Sequence, residues 1–548
     1  MDITLGLDFG THQSKLCMRY MPNNEPLYEF LEFPIDGGGK SVFLPSEIQI
    51  NKDDTIRIGS VDFKKCVIKS IPKPKKPILP PQPKITYPKE PDRTIPREPK
   101  EIRPPEFVWD SGIGGKKKKK KKKPSKNNEY FIREHRKWEE KCQIIEQKHR
   151  RWEYECRMLD LKLIPWRRRC KEIQSDYERR CVYWETHQTE YRILKYFKQA
   201  ALTETLHWND EIQPDMLSIW YITYLLLFVK RVVKERFGEK FEESVSVQMG
   251  IPSGLNDEIS QEIHHRGLKL LVTARLFMGF FDNPEDMCRI PYPRLIDMTK
   301  CLNVNVKKDA DEFGLIVIPE AFAGLQSLTN SRRLTRGNLH LLVDIGGGTT
   351  DIAFFTINES LKPSIHTMIS FHKGLNFVIE QYVLSNPNYS IEEARERLFL
   401  NTNEFNSAIS IFKKELEKRI SEVVTHIGTE YCMVIKGTSL SITDLINAME
   451  NRPIVYCGGG SLYENMRVSH EYFSEKRLID KDMLNIPHLQ NKNLNRVLFT
   501  ILATAYGLSI PLETEIKNID VRKFWSVIAD GARIEKKEKG NDYGLQDD

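Results

Sequence analysis

The sequence predicts an α/β protein built in two lobes, and the prediction rests on three glycine-rich turns, each following an apolar run that reads as a strand. The first is Leu5-Gly-Leu-Asp8-Phe-Gly10-Thr11-His12, the second Leu341-Leu-Val-Asp344-Ile-Gly346-Gly347-Gly348-Thr349-Thr350-Asp351, the third Ile454-Val-Tyr-Cys457-Gly458-Gly459-Gly460-Ser461. A strand that ends in Asp and turns through Gly lets backbone N–H groups approach a polyphosphate, while the carboxylate stays within reach of its divalent cation. Two such turns far apart in sequence can close on a nucleotide from both sides. Each is weak alone. The first has the form of an ordinary hairpin turn, the second reads as strand, tight turn and strand, and the third is a bare glycine run. Their order carries the argument.

A chain of 548 residues with 40% hydrophobic content can build two to four domains with sizeable cores. Its ten cysteines form no C-x-x-C pair and no zinc-ligand spacing, so the expected setting is a reducing cytoplasm with free thiols. No secretory leader is expected, because the chain opens directly on a strand-like run. The apolar stretch from Met216 to Val229 holds fourteen uncharged residues, short of the ~20 that span a bilayer, and reads as a buried helix.

The net charge of +7 is concentrated in one region. From Ile71 to Pro105 prolines recur among lysines without apolar periodicity, which predicts an extended linker over residues 71–128. Lys116 to Lys123 is an unbroken lysine run that repels compact folding. Gly115-Lys116 is not a phosphate loop, since no Ser or Thr follows and the upstream Gly is missing. Residues 129–190 turn helical, basic and aromatic, with Trp138-x-x-x-Cys142, Trp152-x-x-x-Cys156, Trp166-x-x-x-Cys170 and a degenerate Tyr177-x-x-x-Cys181. Fourteen residues are two heptads, which predicts a coiled helical hairpin with Pro165 dividing its arms. Successive cysteines would lie about 21 Å apart along a helix, too far to share a metal.

In order and spacing these residues resemble the actin-like ATPase superfamily and, within it, the ATPase domain of the 70-kilodalton heat-shock chaperones of the DnaK type. The three turns look like that family's two phosphate motifs and its adenosine motif. Phe43-Leu-Pro45-Ser46 with Ile56-Arg-Ile-Gly59, Asp215 through Pro252, and Phe371-His-Lys-Gly374-Leu-Asn376-Phe377 match further family elements. The resemblance covers about three quarters of the chain. It implies a two-lobed, ribonuclease-H-like duplicated fold with a long helical insertion in lobe I. Lobe I would take residues 1–70 and 191–340 plus a closing helix near 494–510, lobe II residues 341–493, and a polar tail residues 511–548. No peptide-binding domain is expected within a tail of that length.

The resemblance also implies site roles. Gly10, Thr11 and His12 would hold phosphates from one side, and Gly346, Gly347, Gly348, Thr349 and Thr350 from the other. Asp8 and Asp344 would bind Mg2+ through its waters, and Asp351 would orient the attacking water or support Thr349. Lys198, with Lys195 second, matches the family's catalytic lysine. Lys413 and Lys414 would contact ribose and adenine, beside Gly458, Gly459, Gly460 and Ser461. The chain departs from the family at Ile318, where a water-positioning Glu is usual and Glu320 substitutes from two residues on, and at Leu462-Tyr463, where Tyr463 replaces the stacking Arg.

The expected function is therefore a chaperone-related ATP-binding protein that slowly hydrolyses Mg-ATP and acts through lobe closure on a protein partner at the insertion. The alternatives are an actin-like filament ATPase, and a nucleotide-sensing scaffold that binds nucleic acid through its lysines. A sugar kinase of the same superfamily is disfavoured by the chaperone-like motifs. No membrane partner is expected.

Overall fold

A computed structural model describes residues 2–35, 38–70, 73–99, 126–186, 189–203, 208, 210–253, 257–328, 339–357, 363–386, 389–434, 442–450 and 452–512. The Lys116–Lys123 run and the tail from residue 513 lie outside these. The chain divides into two compact units, one of Met1–Ile71 with Thr186–Asp548 and one of Pro72–Glu185.

The first unit contains two sheets of the same topology. In lobe I the strand order is Leu315–Pro319, Val245–Ile251, Ile3–Asp8, Gln13–Tyr20, Leu27–Phe30. In lobe II it is Glu475–Leu478, Pro453–Cys457, Leu339–Ile345, Thr350–Ile357, Pro363–Phe371. In each, the first three strands pair in parallel and the rest antiparallel. The central strands Ile3–Asp8 and Leu339–Ile345 are buried at every residue, as continuous apolar runs covered on both faces must be. This is the duplicated two-lobed fold expected from the sequence.

Against the lobe I sheet packs the helix Pro214–Phe237, which starts with Pro in its first turn and ends on Gly238 at φ 67°. Among the described residues it is the one helix long and apolar enough to cross a membrane, yet Leu217, Trp220, Tyr221, Leu225 and Leu226 are fully buried in the lobe. A small outer sheet joins Glu47–Ile50 to Ile56–Ile58 and Ile193–Lys195. The chain leaves this region and returns to it through a ribbon in which Ile68–Ser70 pairs with Thr189–Tyr191.

Two helices pass between the sheets, Glu320–Ser327 after lobe I and Phe499–Ser509 at the end of the described chain. Their contact is lined by Ala321, Leu325, Leu502, Ala503, Ala505 and Tyr506, all fully buried. Small residues let the backbones touch.

The second unit departs from the expected hairpin. Lys126–Thr186 is one helix of 61 residues that runs through Pro165, roughly 90 Å end to end. Its half-buried side chains follow a heptad stripe, but the stripe is covered by the proline-rich segment 73–99 rather than by a second helical arm. That segment is extended, as its composition predicts, and packed, which composition does not predict.

Candidate functional site

The cleft between the two sheets is built by hairpin register. Ile3–Asp8 and Gln13–Tyr20 pair so that Lys15 stands opposite Asp8, and the Lys15 Nζ lies 2.8 Å from the Asp8 carboxylate. Leu339–Ile345 and Thr350–Ile357 pair so that Asp351 stands opposite Asp344. The same topology thus delivers an Asp from each lobe into a cleft of about 480 Å³, with Lys15 beside Asp8 on its wall and Asp351 buried behind Asp344.

The glycine turns meet across that cleft. A Cβ at Gly347 would lie 2.3 Å from the His12 ring, and one at Gly348 would lie 2.7 Å from the Gln199 amide oxygen and 3.2 Å from the Thr11 hydroxyl. The first turn is held by Ser46, whose hydroxyl donates to the Gly10 carbonyl at 2.7 Å and whose N–H donates to the His12 carbonyl. The second is closed by Gly346 N–H donating to the Thr349 carbonyl at 2.9 Å. The third turn needs glycine for its backbone. Gly458 has φ +82°, and a Cβ there would sit 2.1 Å from the Asp344 carboxylate.

Between the turns lies a cluster of buried charge. Lys198, 5% exposed, donates to the Glu320 carboxylate and stands over the Phe9 ring at 5.6 Å. Glu320 enters the cleft from the first turn of its helix, beside the Ile318 that replaces the expected acid. Burial, then the charges of Glu320 and Asp8, pushes the Asp344 carboxyl up to about 6, against opposing contributions from Lys15 and the Thr504 hydroxyl. Asp351 is raised well above the usual carboxylate range by burial, then by Glu320 and Asp344. Burial works against the Lys15 ammonium, but Asp8, Asp344 and Glu320 outweigh it and raise its pKa. The His12 imidazole is driven down to about 3 by burial and then by the Arg395 charge, so it is neutral and pairs with Asn376.

The predicted residues divide into two groups. Asp8, Gly10, Thr11, His12, Lys198, Glu320, Asp344, Gly346, Gly347, Thr349, Gly458, Gly459, Gly460 and Tyr463 line the cleft. Lys413 and Lys414 are not among its lining residues, nor are Gly348, Thr350, Asp351 and Ser461. The Thr350 hydroxyl is committed to the Lys373 carbonyl at 2.7 Å, and that of Ser461 to the Cys457 carbonyl. Asp351 lies directly beneath the surface, accepting from Ser253 N–H at 3.3 Å. Two lining residues carry roles that the motifs did not assign, Lys15 and Arg395. Arg395 comes from the helix Ile391–Leu400, donates to the Tyr196 hydroxyl at 2.9 Å, and has a buried Nε with no hydrogen-bond acceptor among the described residues.

This donor set fits a magnesium nucleotide. Glycine turns of lobe II facing the Thr11 hydroxyl, with Lys15, Lys195 and Lys198 on the cleft wall, suit phosphates. Among the described residues no three His, Cys, Asp or Glu converge as direct metal ligands. Asp8 and Asp344 reach the cleft singly, an arrangement suited to Mg2+ that keeps most of its water.

No protein-family model matches the sequence. A curated relative is the cell division protein FtsA of Buchnera aphidicola subsp. Baizongia pistaciae (strain Bp), 27% identical over 252 residues, or 41% of this chain and 58% of that protein. A solved structure, the ethanolamine utilization protein EutJ of Carboxydothermus hydrogenoformans, is 14% identical with a TM-score of 0.28 over 55% of this chain and 78% of its own. The latter likeness is too loose to carry weight. The FtsA relative supports the superfamily without singling out the heat-shock chaperones. With its duplicated sheets and three turns in order, the chain has the two-lobed fold of the actin-like ATPase superfamily.

Proposed function

We propose that this chain binds Mg-ATP between its lobes, hydrolyses it slowly, and uses the resulting change in lobe closure as a conformational switch. The observation that carries the reading is the meeting of Gly347 and Gly348 with His12 and Thr11 across a cleft floored by Asp8, Lys15, Lys198, Glu320 and Asp344. Phosphoryl transfer asks mainly for positioning and charge neutralisation, so such a set suffices. Bound Mg2+ would neutralise phosphate charge, with Asp8 and Asp344 holding its waters. Lys198 would stabilise charge on the transferring group, while Glu320 orients the attacking water and Asp351, behind the cleft surface, supports Thr349. Tyr463 and Arg395, both at the cleft wall, would receive the base and a phosphate.

Lys198→Ala is expected to lower single-turnover ATP hydrolysis about 100-fold, in the range seen for removal of one preorganised charge-stabilising group. Nucleotide affinity should change far less. Unchanged turnover would remove Lys198 from the chemistry, and absence of Mg-dependent ATP binding by the unsubstituted chain would sink the whole reading.

A second reading, an actin-like filament former, is favoured over the chaperone role by the FtsA relative, which is named for cell division. ATP-dependent sedimentation of the full chain separates the two, since a switch that works as a monomer stays in the supernatant.

A further inference from the structure

The second unit matches two sequence repeats of different period. Along the helix, His135-x-x-Trp138, His149-x-x-Trp152 and Leu163-x-x-Trp166 recur every fourteen residues. Along the extended segment, Pro96-x-Glu98, Pro88-x-Glu90 and Pro80-x-Gln82 recur every eight, in the opposite direction. The structure joins them in register. The indole N–H of Trp138 donates to the Pro96 carbonyl at 2.7 Å, that of Trp152 to Pro88 at 2.8 Å, and that of Trp166 to Pro80 at 3.0 Å. His135 lies 3.4 Å from the Glu98 carboxylate, and His149 lies 3.3 Å from that of Glu90.

The periods are geometrically compatible. Fourteen helical residues advance roughly 21 Å, and eight residues of polyproline helix roughly 25 Å, so an extended chain wound slightly around the helix keeps step over three repeats. Polyproline makes no hydrogen bonds of its own, which leaves its carbonyls free to accept from an aromatic groove.

The repeats also change together. His135 and His149 each have a second carboxylate one turn on, Glu139 at 3.4 Å and Glu153 at 3.2 Å. In the third repeat all three charged positions differ at once. Leu163, 4% exposed, replaces His, Arg167 replaces Glu139 and Glu153, and Gln82 replaces Glu98 and Glu90. Both the segment and the helix are net basic, so general charge attraction does not hold them together.

We propose that the Trp138–Trp152–Trp166 face is a receptor for a proline-rich chain carrying Pro-x-Glu at eight-residue intervals, filled in cis by residues 73–99. Indoles read the proline carbonyls, and the histidines read the acid two residues on. The segment is thus this helix's own ligand, and a partner of the same repeat has to displace it.

The test uses the full chain with residues 73–99 replaced by a Gly/Ser stretch of equal length, and a fluorescent peptide of residues 73–99 followed by anisotropy. The replaced chain should bind the peptide saturably, while the unaltered chain, whose site is filled, should bind it at least about tenfold more weakly. Trp138→Phe, Trp152→Phe and Trp166→Phe together keep the rings but remove three donors, and should weaken binding to the replaced chain at least about tenfold. A glycine inserted between Pro88 and Pro96 breaks register and should do the same. Gln82→Glu in the peptide should weaken binding, and Leu163→His in the chain should restore it. If the helix melts in the replaced chain, recovery of helical circular dichroism on adding peptide counts as binding. The proposal is overturned by no uptake and no recovery, by equal uptake in the unaltered chain, or by binding indifferent to both the indole donors and the repeat spacing.

Discussion

Asp344→Asn is expected to remove Mg-dependent ATP hydrolysis by about 100-fold or more and, in the absence of nucleotide, to make the protein more stable. The two effects have one cause. Asp344 sits beside Glu320 and Asp8 in a buried cleft, and its carboxyl is raised from 3.8 to about 6. A raised carboxylate pKa means that the folded state binds more protons than the unfolded chain between those two values, so stability falls as pH rises through that window and levels above it. A shift of this size corresponds to about 3 kcal/mol. Asparagine keeps an oxygen for Thr504 to donate to and carries no charge. Denaturant unfolding without Mg2+ or nucleotide should therefore find the two proteins alike near pH 4 and the variant more stable by up to about 3 kcal/mol at pH 7.5. Asp351, raised by the same neighbours, adds a slope of the same sign to both proteins. A carboxylate kept at a cost to the fold and needed for turnover would mark a site held for function. Unchanged stability at pH 7.5, or full turnover in the variant, would reject that account.

How much of this was legible depends on the range over which each signal acts. The three turns are local, since strand, acid and glycine stand side by side in sequence, and all three border the cleft. Glu320 was found because it lies two residues from the position where an acid was sought. Lys15 and Asp351 owe their places opposite Asp8 and Asp344 to hairpin register, which a sequence shows only once the turn length is known, and the motifs give Lys15 no role. Lys413 and Lys414 were placed by the family resemblance and are not among the cleft's lining residues, whereas Arg395, on a different helix, is. No local pattern distinguishes those cations, because helix packing decides which of them reaches the nucleotide side. In the insertion the fourteen-residue repeat correctly marked an apolar stripe needing cover. A second helical arm was the usual answer for a heptad stripe, but the eight-residue proline repeat beside it was the cover, visible only when the two periods are read together.

Gly507→Val is expected to be the most damaging single change far from the cleft surface. A Cβ at Gly507 would lie 1.7 Å from the Ala323 carbonyl oxygen and 2.6 Å from its carbon, both backbone atoms that no side-chain rotation can move away. On its opposite side the same helix touches lobe I, where a Cβ at Gly6 would meet the Ala505 carbonyl at 2.4 Å. Phe499–Ser509 is therefore clamped between a strand of one lobe and the connecting helix Glu320–Ser327, with no slack for an added side chain. Overpacking of this kind costs about 1–3 kcal/mol or more, and less than about 1 kcal/mol returns from replacing glycine by valine within a helix. The damage should also reach the nucleotide. The helix supplies Thr504, which donates to Asp344 at 3.3 Å, and the Thr500 carbonyl, which accepts from Gly458 N–H at 3.0 Å. Forcing the two helices apart shifts both supports and alters the angle that lobe closure must change. ATP affinity should fall together with unfolding free energy. Gly279→Ala is the control, since nothing lies within 4 Å of a Cβ there and it should leave both unchanged. Wild-type stability and affinity in Gly507→Val would show that the helices separate at no cost, and that their close crossing is not what ties lobe angle to the nucleotide.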